Sequence, residues 1–336
     1  MNLQRILRFE FWPFWFFYIP AYFNWAILAL KARYTTYFTA TNPLMNNSGA
    51  LNTSKFSYLA KLPKAWVPST LLVDRLVSGQ ALEQRLEENQ FTFPFVLKPD
   101  NGERGKGIHL IHNKEELVNA LANSKHKHLL LQHYCDYPHE VALLYVRFPN
   151  EKKGRITSIT TKEFCCLQGD GVHTWEELLK AEIRVAHRWE EIKVREKLPW
   201  YSVAMKGEQY LIERIGSHNL GTKFKNGNQL NSTQLCELLD HWADQLPGFN
   251  YGRFDVKYQN WEALLKGENF QLMEINGVNA EPTHIYDSSY AILQAYSDIF
   301  SHMRIIYEIS QQNRRLGIPP KRLKPFLIEL IQTAVR

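Results

Sequence analysis

Two short stretches near residue 260 constrain this chain more than anything else in it. Arg253-Phe254-Asp255-Val256-Lys257 and Gln271-Leu272-Met273-Glu274-Ile275-Asn276 each alternate polar and apolar residues, the period-two pattern of a strand with one buried face. Arg253, Asp255 and Lys257 then share one face of the first strand, and Glu274 and Asn276 share one face of the second. Paired as a hairpin, the strands bring Asp255, Glu274 and Asn276 together as three oxygen ligands. Such a hard set suits a magnesium ion that keeps waters and phosphate oxygens in its other positions. A solvated hairpin face carries carboxylates in the same pattern, so the reading needs a second feature that the same ligand would engage.

That feature lies far upstream, in Phe93-Pro94-Phe95-Val96-Leu97-Lys98 followed by Pro99-Asp100-Asn101-Gly102-Glu103-Arg104-Gly105-Lys106-Gly107 and the apolar Ile108-His109-Leu110-Ile111. A strand ends at Lys98, a glycine-rich turn follows, and a second strand starts at Gly107. Gly102, Gly105 and Gly107 permit close backbone approach, so successive N–H groups can face phosphate oxygens while Lys98 and Lys106 supply charge. The loop joins strand to strand, has Asp100 and Gly107 where a Walker A loop needs Gly and Ser or Thr, and lacks the G-x-G-x-x-G that opens a dinucleotide-binding helix. A glycine-rich hairpin without a ligand is the plain alternative.

With 336 residues, 45% of them hydrophobic, the chain can form a sizeable core. Its net charge of +6 comes from basic residues interspersed with acids, which does not point to nucleic acid. Cys135, Cys165, Cys166 and Cys236 form no C-x-x-C pair, so a reducing, cytoplasmic compartment is expected. The histidines show no H-E-x-x-H and no zinc spacing.

The N-terminus is the strangest region. No charged residue lies between Glu10 and Lys31, and Phe11, Trp12, Phe14, Trp15, Phe16, Phe17, Tyr18, Tyr22, Phe23 and Trp25 crowd it. The stretch is just long enough to span a bilayer, but Pro13 and Pro20 interrupt it, and Trp and Tyr favour the headgroup boundary. An in-plane or re-entrant anchor is expected, with Arg5, Arg8, Lys31 and Arg33 against anionic lipid on the inner face of a membrane. A docking segment packed on the rest of the protein, or on a second copy in a homodimer, is the competing expectation.

A turn-rich stretch with a short helix near Lys55 to Leu62 follows, then a strand at Val67 to Val73 and a helix at Leu76 to Glu88. Lys114 to Asn123 reads as a helix. His128 to Cys135, Glu140 to Phe148, Arg155 to Phe164 and Gln209 to Ile215 read as strands, and Gly216 to Lys223 as a polar loop. Helices are expected over Trp175 to Lys197, from an Asn231 or Ser232 cap to Leu246, over Ser288 to Arg315, and over Lys321 to Val335.

Taken together, Lys98, the Gly102 to Gly107 loop, the Gln132 turn, Arg253, Asp255, Glu274 and Asn276 resemble the motifs of ATP-grasp enzymes, over about residues 70 to 310. The chain is similar to their carboxylate-amine ligase branch, which includes the D-alanine-D-alanine ligases and ribosomal-protein glutamate ligases. The resemblance implies an α+β fold in which two subdomains clamp ATP. The expected organisation is an aromatic segment (1–40), a linker or lid (41–70), a small subdomain with the glycine-rich loop (71–135), a large subdomain with the metal site (136–316) and a basic amphipathic helix (317–336).

By that resemblance Lys98 and Lys162 hold the α- and β-phosphates and the glycine loop, Gly102, Gly105, Lys106 and Gly107 included, closes over the triphosphate. The Gln132-His133-Tyr134 backbone pairs with adenine, and Glu140 binds the ribose hydroxyls. Asp255, Glu274 and Asn276 hold one or two Mg2+ ions, and Arg253 stabilises the transferred phosphoryl group. The chain departs from the pattern at Gln132, where many relatives have Glu. It has no clear upstream basic residue, Arg75 being the nearest. The usual N-terminal α/β domain is replaced by the aromatic segment. The implied activity joins a carboxylate to an amine through an acyl phosphate, on small-molecule or lipid substrates. His218, Lys223, Asn279, Glu281 and His284 are the expected substrate contacts, with Glu281 receiving an amine and Lys223 a carboxylate. Another ATP-grasp phosphoryl transfer, or a non-catalytic nucleotide-binding membrane scaffold, is the alternative.

Overall fold

The computed structural model describes residues 8–51, 53–77, 79–101 and 107–334. Gly102, Gly105 and Lys106 of the glycine-rich loop lie outside the described residues.

After a 3-10 turn at Phe9–Phe11, the described chain forms two helices, α1 (Phe14–Phe17) and α2 (Ile19–Ala32). Pro20 does not interrupt the second, contrary to expectation. It sits in the first turn, where the missing N–H has no intrahelical acceptor to lose. A short helix α3 (Lys55–Leu59) is capped by Ser54 Oγ, which accepts from Ser57 N–H.

A first antiparallel sheet follows, in the order β1-β4-β2-β3. It comprises β1 (Thr70–Asp74), β2 (Phe95–Pro99), β3 (His109–Ile111) and β4 (His128–His133). Helices α4 (Gly79–Glu88) and α5 (Lys114–Asn123) cover it, burying Leu82, Leu117 and Leu121 against Leu71, Phe95 and Leu129.

The second sheet has the order β11-β10-β5-β6-β9. Its strands are β5 (His139–Val146), β6 (Arg155–Glu163), β9 (Lys223–Asn226), β10 (Tyr251–Tyr258) and β11 (Phe270–Asn276). Between β6 and β9 the chain inserts β7 (Cys166–Gln168), α6 (Trp175–Ala181), α7 (Trp189–Arg195) and β8 (Gln209–Leu211). This insertion has its own core around Trp175, Leu179 and Ile192.

Alternation puts Leu143, Phe254, Val256 and Leu272 on one face of the large sheet. There they pack on Leu235, Leu239 and Trp242 of α8 (Thr233–Asp244). Each such side chain contributes roughly 1.5–3 kcal/mol by leaving water. Helix α9 (Trp261–Leu265) lies in the β10–β11 connection. The opposite face carries Leu144, Val146 and Tyr251 against Ile306 and Ile309 of α10 (Ile292–Arg315) and Leu28 and Ala29 of α2. The N-terminal segment is thus part of the core on the site's side of the sheet. Helix α11 (Leu323–Ala334) ends the described chain.

Four further expectations need correction. Trp175 to Lys197 is not one helix: it breaks after Ala181 because Arg184 turns inward to a buried carboxylate and Val185 packs beneath Gly221. The long helix starts at Ile292 rather than Ser288, since Asp287 Oδ1 accepts from Ser289 N–H and Oγ and holds a turn there. Lys223, read as the end of a loop, opens the edge strand β9 and pairs with Glu163, while the strand expected to reach Ile215 ends at Leu211.

Candidate active site

The site is built along one face of β10. Tyr251, Arg253, Asp255 and Lys257 alternate with the buried Gly252, Phe254 and Val256, so their side chains follow one another at intervals of about 7 Å. All four line one large cavity.

Across from β10, β11 places Asn276 opposite Arg253 and Glu274 opposite Asp255; the register then shifts, and Leu272 faces Val256. Met273 is the extra residue of this bulge, and its carbonyl accepts from Lys98 Nζ at 3.2 Å. Asp255 Oδ2 accepts from Arg253 Nε at 3.0 Å and Asn276 Nδ2 at 3.1 Å. Glu274 pairs with Lys55 at 3.1 Å. Burial raises the pKa of both carboxyls, but Arg253 and Lys162 beside Asp255, and Lys55 beside Glu274, outweigh it and hold both below the usual range.

Among the described residues no group of three His, Cys, Asp or Glu could hold a metal ion by itself. Asp255, Glu274 and Asn276 instead offer two ionised carboxylates and an amide, all oxygen donors on one wall of the cavity. That set fits magnesium shared with phosphate oxygens better than an all-protein cage.

Lys162 stands on β6. Its Nζ donates to Glu140 Oε1 at 2.5 Å and Asp255 Oδ1 at 3.0 Å. Burial works to lower its pKa, but the two carboxylates raise it. Glu140 in turn rests on Gly216, where a Cβ would come within 2.3 Å of both carboxylate oxygens. Gly216 therefore sets the depth at which Glu140 sits.

On the small sheet, Lys98 Nζ donates to Gln132 Oε1 at 2.8 Å. Burial and the neighbouring Lys55 charge bring its pKa down to about 8. Gln132 and Tyr134 line the cavity, whereas His133 packs against Phe91 with ring centroids 4.4 Å apart. His133 N–H is already bonded to Ser69 O at 2.9 Å. Lys257 donates to Cys135 O at 3.0 Å and so ties the strand-to-strand connection to β10. Arg75 bonds Ser124 O and does not line the cavity.

The N-terminal segment forms the far wall. Glu10 is buried in an ion pair with Arg184 at 2.7 Å and is 3.2 Å from His218 Nε2. Burial alone would raise the Glu10 pKa, but these two partners lower it. Tyr18 and Tyr286 hydroxyls both donate to Glu281 Oε2, the latter at 2.9 Å. Among the described residues no cation pairs with Glu281, and burial pushes its carboxyl up to about 7.

Of the expected substrate contacts, His218, Asn279 and Glu281 line the cavity. Lys223 is exposed on the edge strand, outside the lining. His284 is buried beside Ser158, Tyr290 and Asp298, and it too is outside the lining. Lys55, Gly216, Glu10 and Arg184 were not singled out from the sequence. Only Gly216 carried a signal, as the first residue of a glycine-punctuated loop.

Residues 37–143 match the model of the tubulin-tyrosine ligase family. That segment includes Lys98 and Gln132 and ends on β5. No curated protein matches the sequence. Among solved structures, D-alanine–D-alanine ligase from Bacillus anthracis is 14% identical, with a TM-score of 0.42, over 79% of this chain and 68% of that one. The VanG D-Ala:D-Ser ligase from Enterococcus faecalis is 14% identical, with a TM-score of 0.43, over 78% of this chain and 64% of that one. A bifunctional glutathione synthetase from Pasteurella multocida is 16% identical, with a TM-score of 0.39, over 74% of this chain and 36% of that one.

Proposed function

We propose that the protein is an ATP-dependent ligase that joins a carboxylate to an amine and releases ADP and phosphate. The observation that carries this reading is the single cavity onto which Lys98, Lys162, Arg253, Asp255, Glu274 and Asn276 all open. Three cations and two ionised carboxylates around one cavity suit a triphosphate with its counter-ion, and no protein nucleophile is needed.

In this reading Lys98 and Lys162 hold the α- and β-phosphates, the Gln132 to Tyr134 segment receives adenine, and Glu140 receives the ribose. Asp255, Glu274 and Asn276 would hold magnesium, which neutralises charge on the phosphates when bound. An oxygen of the acid's carboxylate attacks the γ-phosphorus and ADP leaves, with Arg253 beside the developing negative charge. The amine then attacks the acyl carbon, phosphate leaves, and the amine's proton is lost. Glu281 can receive that ammonium before reaction. The wall of aromatic side chains keeps water from the mixed anhydride.

The test incubates the protein and its Asp255→Ala variant with ATP, magnesium and a metabolite and lipid extract. Mass spectrometry should find a condensed product and ADP with the parent protein alone. ADP without phosphate would point instead to phosphoryl transfer onto a hydroxyl, and neither product to a binding protein.

We also infer a peripheral contact of residues 1–33 with an anionic membrane surface, on the inner face in a reducing compartment. Phe23, Ile27 and Leu30, at i, i+4 and i+7 of α2, are 70%, 51% and 80% exposed, Trp15 of α1 is 65% exposed, and the exposed cations Lys31 and Arg33 follow. No helix among the described residues is long and apolar enough to cross a membrane. Phe23→Ser with Leu30→Ser should abolish flotation with anionic liposomes, and unchanged flotation would reject the contact.

A further inference from the structure

Past Arg253 the same face of β10 carries Tyr251, whose hydroxyl donates to Ala280 O at 3.2 Å. That bond fixes the segment after Asn276 against the strand, and it puts the next residue, Glu281, on the side of Arg253 away from Asp255. The carboxylate is held through one oxygen. Tyr18, between α1 and α2, and Tyr286 both donate to Oε2, and among the described residues nothing bonds Oε1. Glu281 lines the cavity, so Oε1 is the oxygen left for a ligand.

The surrounding groups leave that oxygen without a counter-ion. Behind the Ala280 peptide, His302 Nδ1 lies 3.0 Å from the Tyr251 hydroxyl, and burial lowers the pKa of this histidine to about 4, so it is neutral. Beyond Tyr286 stands His218, with ring centroids 5.5 Å apart, but it faces Glu10, which Arg184 also holds. An ammonium at Oε1 would be the first cation Glu281 meets, and the pair favours the charged carboxylate. An ammonium cannot itself attack, because its nitrogen has no lone pair. An alkyl amine is protonated at neutral pH, as lysine is, so a base must take one proton first. Burial, which raises this carboxyl to about 7, makes it a stronger base than an ordinary one.

We propose that Glu281 is the base for the amine, with Tyr18 of the N-terminal segment as the residue that positions it. The proposal rests on the ligase reading for the acyl phosphate. The ammonium gives one proton to Oε1, and the freed electron pair on nitrogen forms the bond to the acyl carbon. The bond from that carbon to the phosphate oxygen breaks, a second N–H proton leaves with the phosphate, and Glu281 returns its proton to solvent.

The experiment sets two small nucleophiles in competition for one intermediate. The full chain, ATP, magnesium and a broad pool of carboxylic acids are incubated with methylamine and hydroxylamine together, and mass spectrometry compares methylamides with hydroxamates. Methylamine is protonated at neutral pH and needs the base, whereas hydroxylamine is already neutral. Both draw on the same acyl phosphate, so their product ratio reports the second step alone, whatever a variant does to ATP binding. In Glu281→Gln the ratio of methylamide to hydroxamate should fall at least about hundredfold. An unchanged ratio overturns the proposal, and so does a parent chain that forms hydroxamate but no methylamide.

The pH profile of the parent needs no variant. With Glu281 as base, the ratio should rise towards about pH 7 and level off above it. Free methylamine as the nucleophile would instead make it climb about tenfold per pH unit up to about pH 9, which overturns the proposal. Tyr18→Phe removes one donor to the carboxylate, so its profile should level off at higher pH, and a profile that stays in place overturns the role of Tyr18. No hydroxamate from the parent overturns the ligase reading itself. Hydroxamate with a ratio that Glu281→Gln does not move removes the base and leaves the ligase.

Discussion

Lys162 Nζ lies 3.0 Å from Asp255 Oδ1 while also holding Glu140 Oε1 at 2.5 Å. One buried ammonium therefore joins the Asp255 carboxylate of β10 to Glu140, the carboxylate proposed for the ribose. Replacing Lys162 with Met leaves two buried carboxylates adjacent and unpaired on that side, and breaking a buried pair costs on the order of 3–5 kcal/mol. Urea unfolding should show a loss in that range, accompanied by a fall in nucleotide affinity. Unaltered stability would mean that the lysine is not the bridge described.

Gly216 offers a cleaner separation of fold from site. A Cβ there would meet both Glu140 carboxylate oxygens at 2.3 Å, so Gly216→Ala must displace Glu140 and with it Lys162. Overpacking of this kind costs roughly 1–3 kcal/mol. The expected outcome is a folded protein with nucleotide affinity lowered at least about tenfold, measured by calorimetry.

Arg184→Met tests how the N-terminal segment is held. Arg184 pairs with buried Glu10 across the cavity wall, and Met fills the space without the charge. Limited proteolysis should then cut within residues 8–33 much faster than in the parent chain. Glu10→Gln in the same background should slow that cleavage again by removing the stranded carboxylate. Equal resistance of parent and Arg184→Met would show that apolar packing of Phe17 and Ala21 suffices.

The pH dependence of stability carries a signature of Glu281. Its folded-state pKa is raised to about 7 from an ordinary 4.5, so between those values the folded state holds a proton that the unfolded chain has released. Stability is therefore fully present below about pH 4.5, falls as pH rises towards 7, and is level above it. The half-buried position limits the total to roughly 2 kcal/mol. Glu281→Gln keeps an acceptor for Tyr18 and Tyr286 and should flatten the slope between pH 5 and 7. An unchanged slope would assign it to another group.

Much of this site could be read from the sequence because a strand's alternation fixes which side chains share a face. Arg253 and Asp255 needed nothing more, and Asn276 opposite Arg253 followed from pairing. The bulge at Met273 left no mark, since nothing in the residue types around it demands an extra residue. Lys55 and Glu10 were invisible because their partners, Glu274 and Arg184, are remote in the chain, and periodicity reports only local faces. The break after Ala181 was hidden in the same way: the helical pattern persists, but the buried ion pair of Arg184 overrides it. Strand β9 was missed because Lys223 and Lys225 make an edge strand look like a loop.

The central claim is that a carboxylate is phosphorylated on the β10 face before the amine arrives. Hydroxylamine tests this directly, because it captures acyl phosphates as stable hydroxamates without needing the natural amine. The protein should be incubated with ATP, magnesium, hydroxylamine and a broad pool of carboxylic acids, and the products read by mass spectrometry. The account predicts a hydroxamate formed in step with ADP and lost in Asp255→Ala. ADP formed by the parent protein with no hydroxamate from any acid in the pool would contradict it.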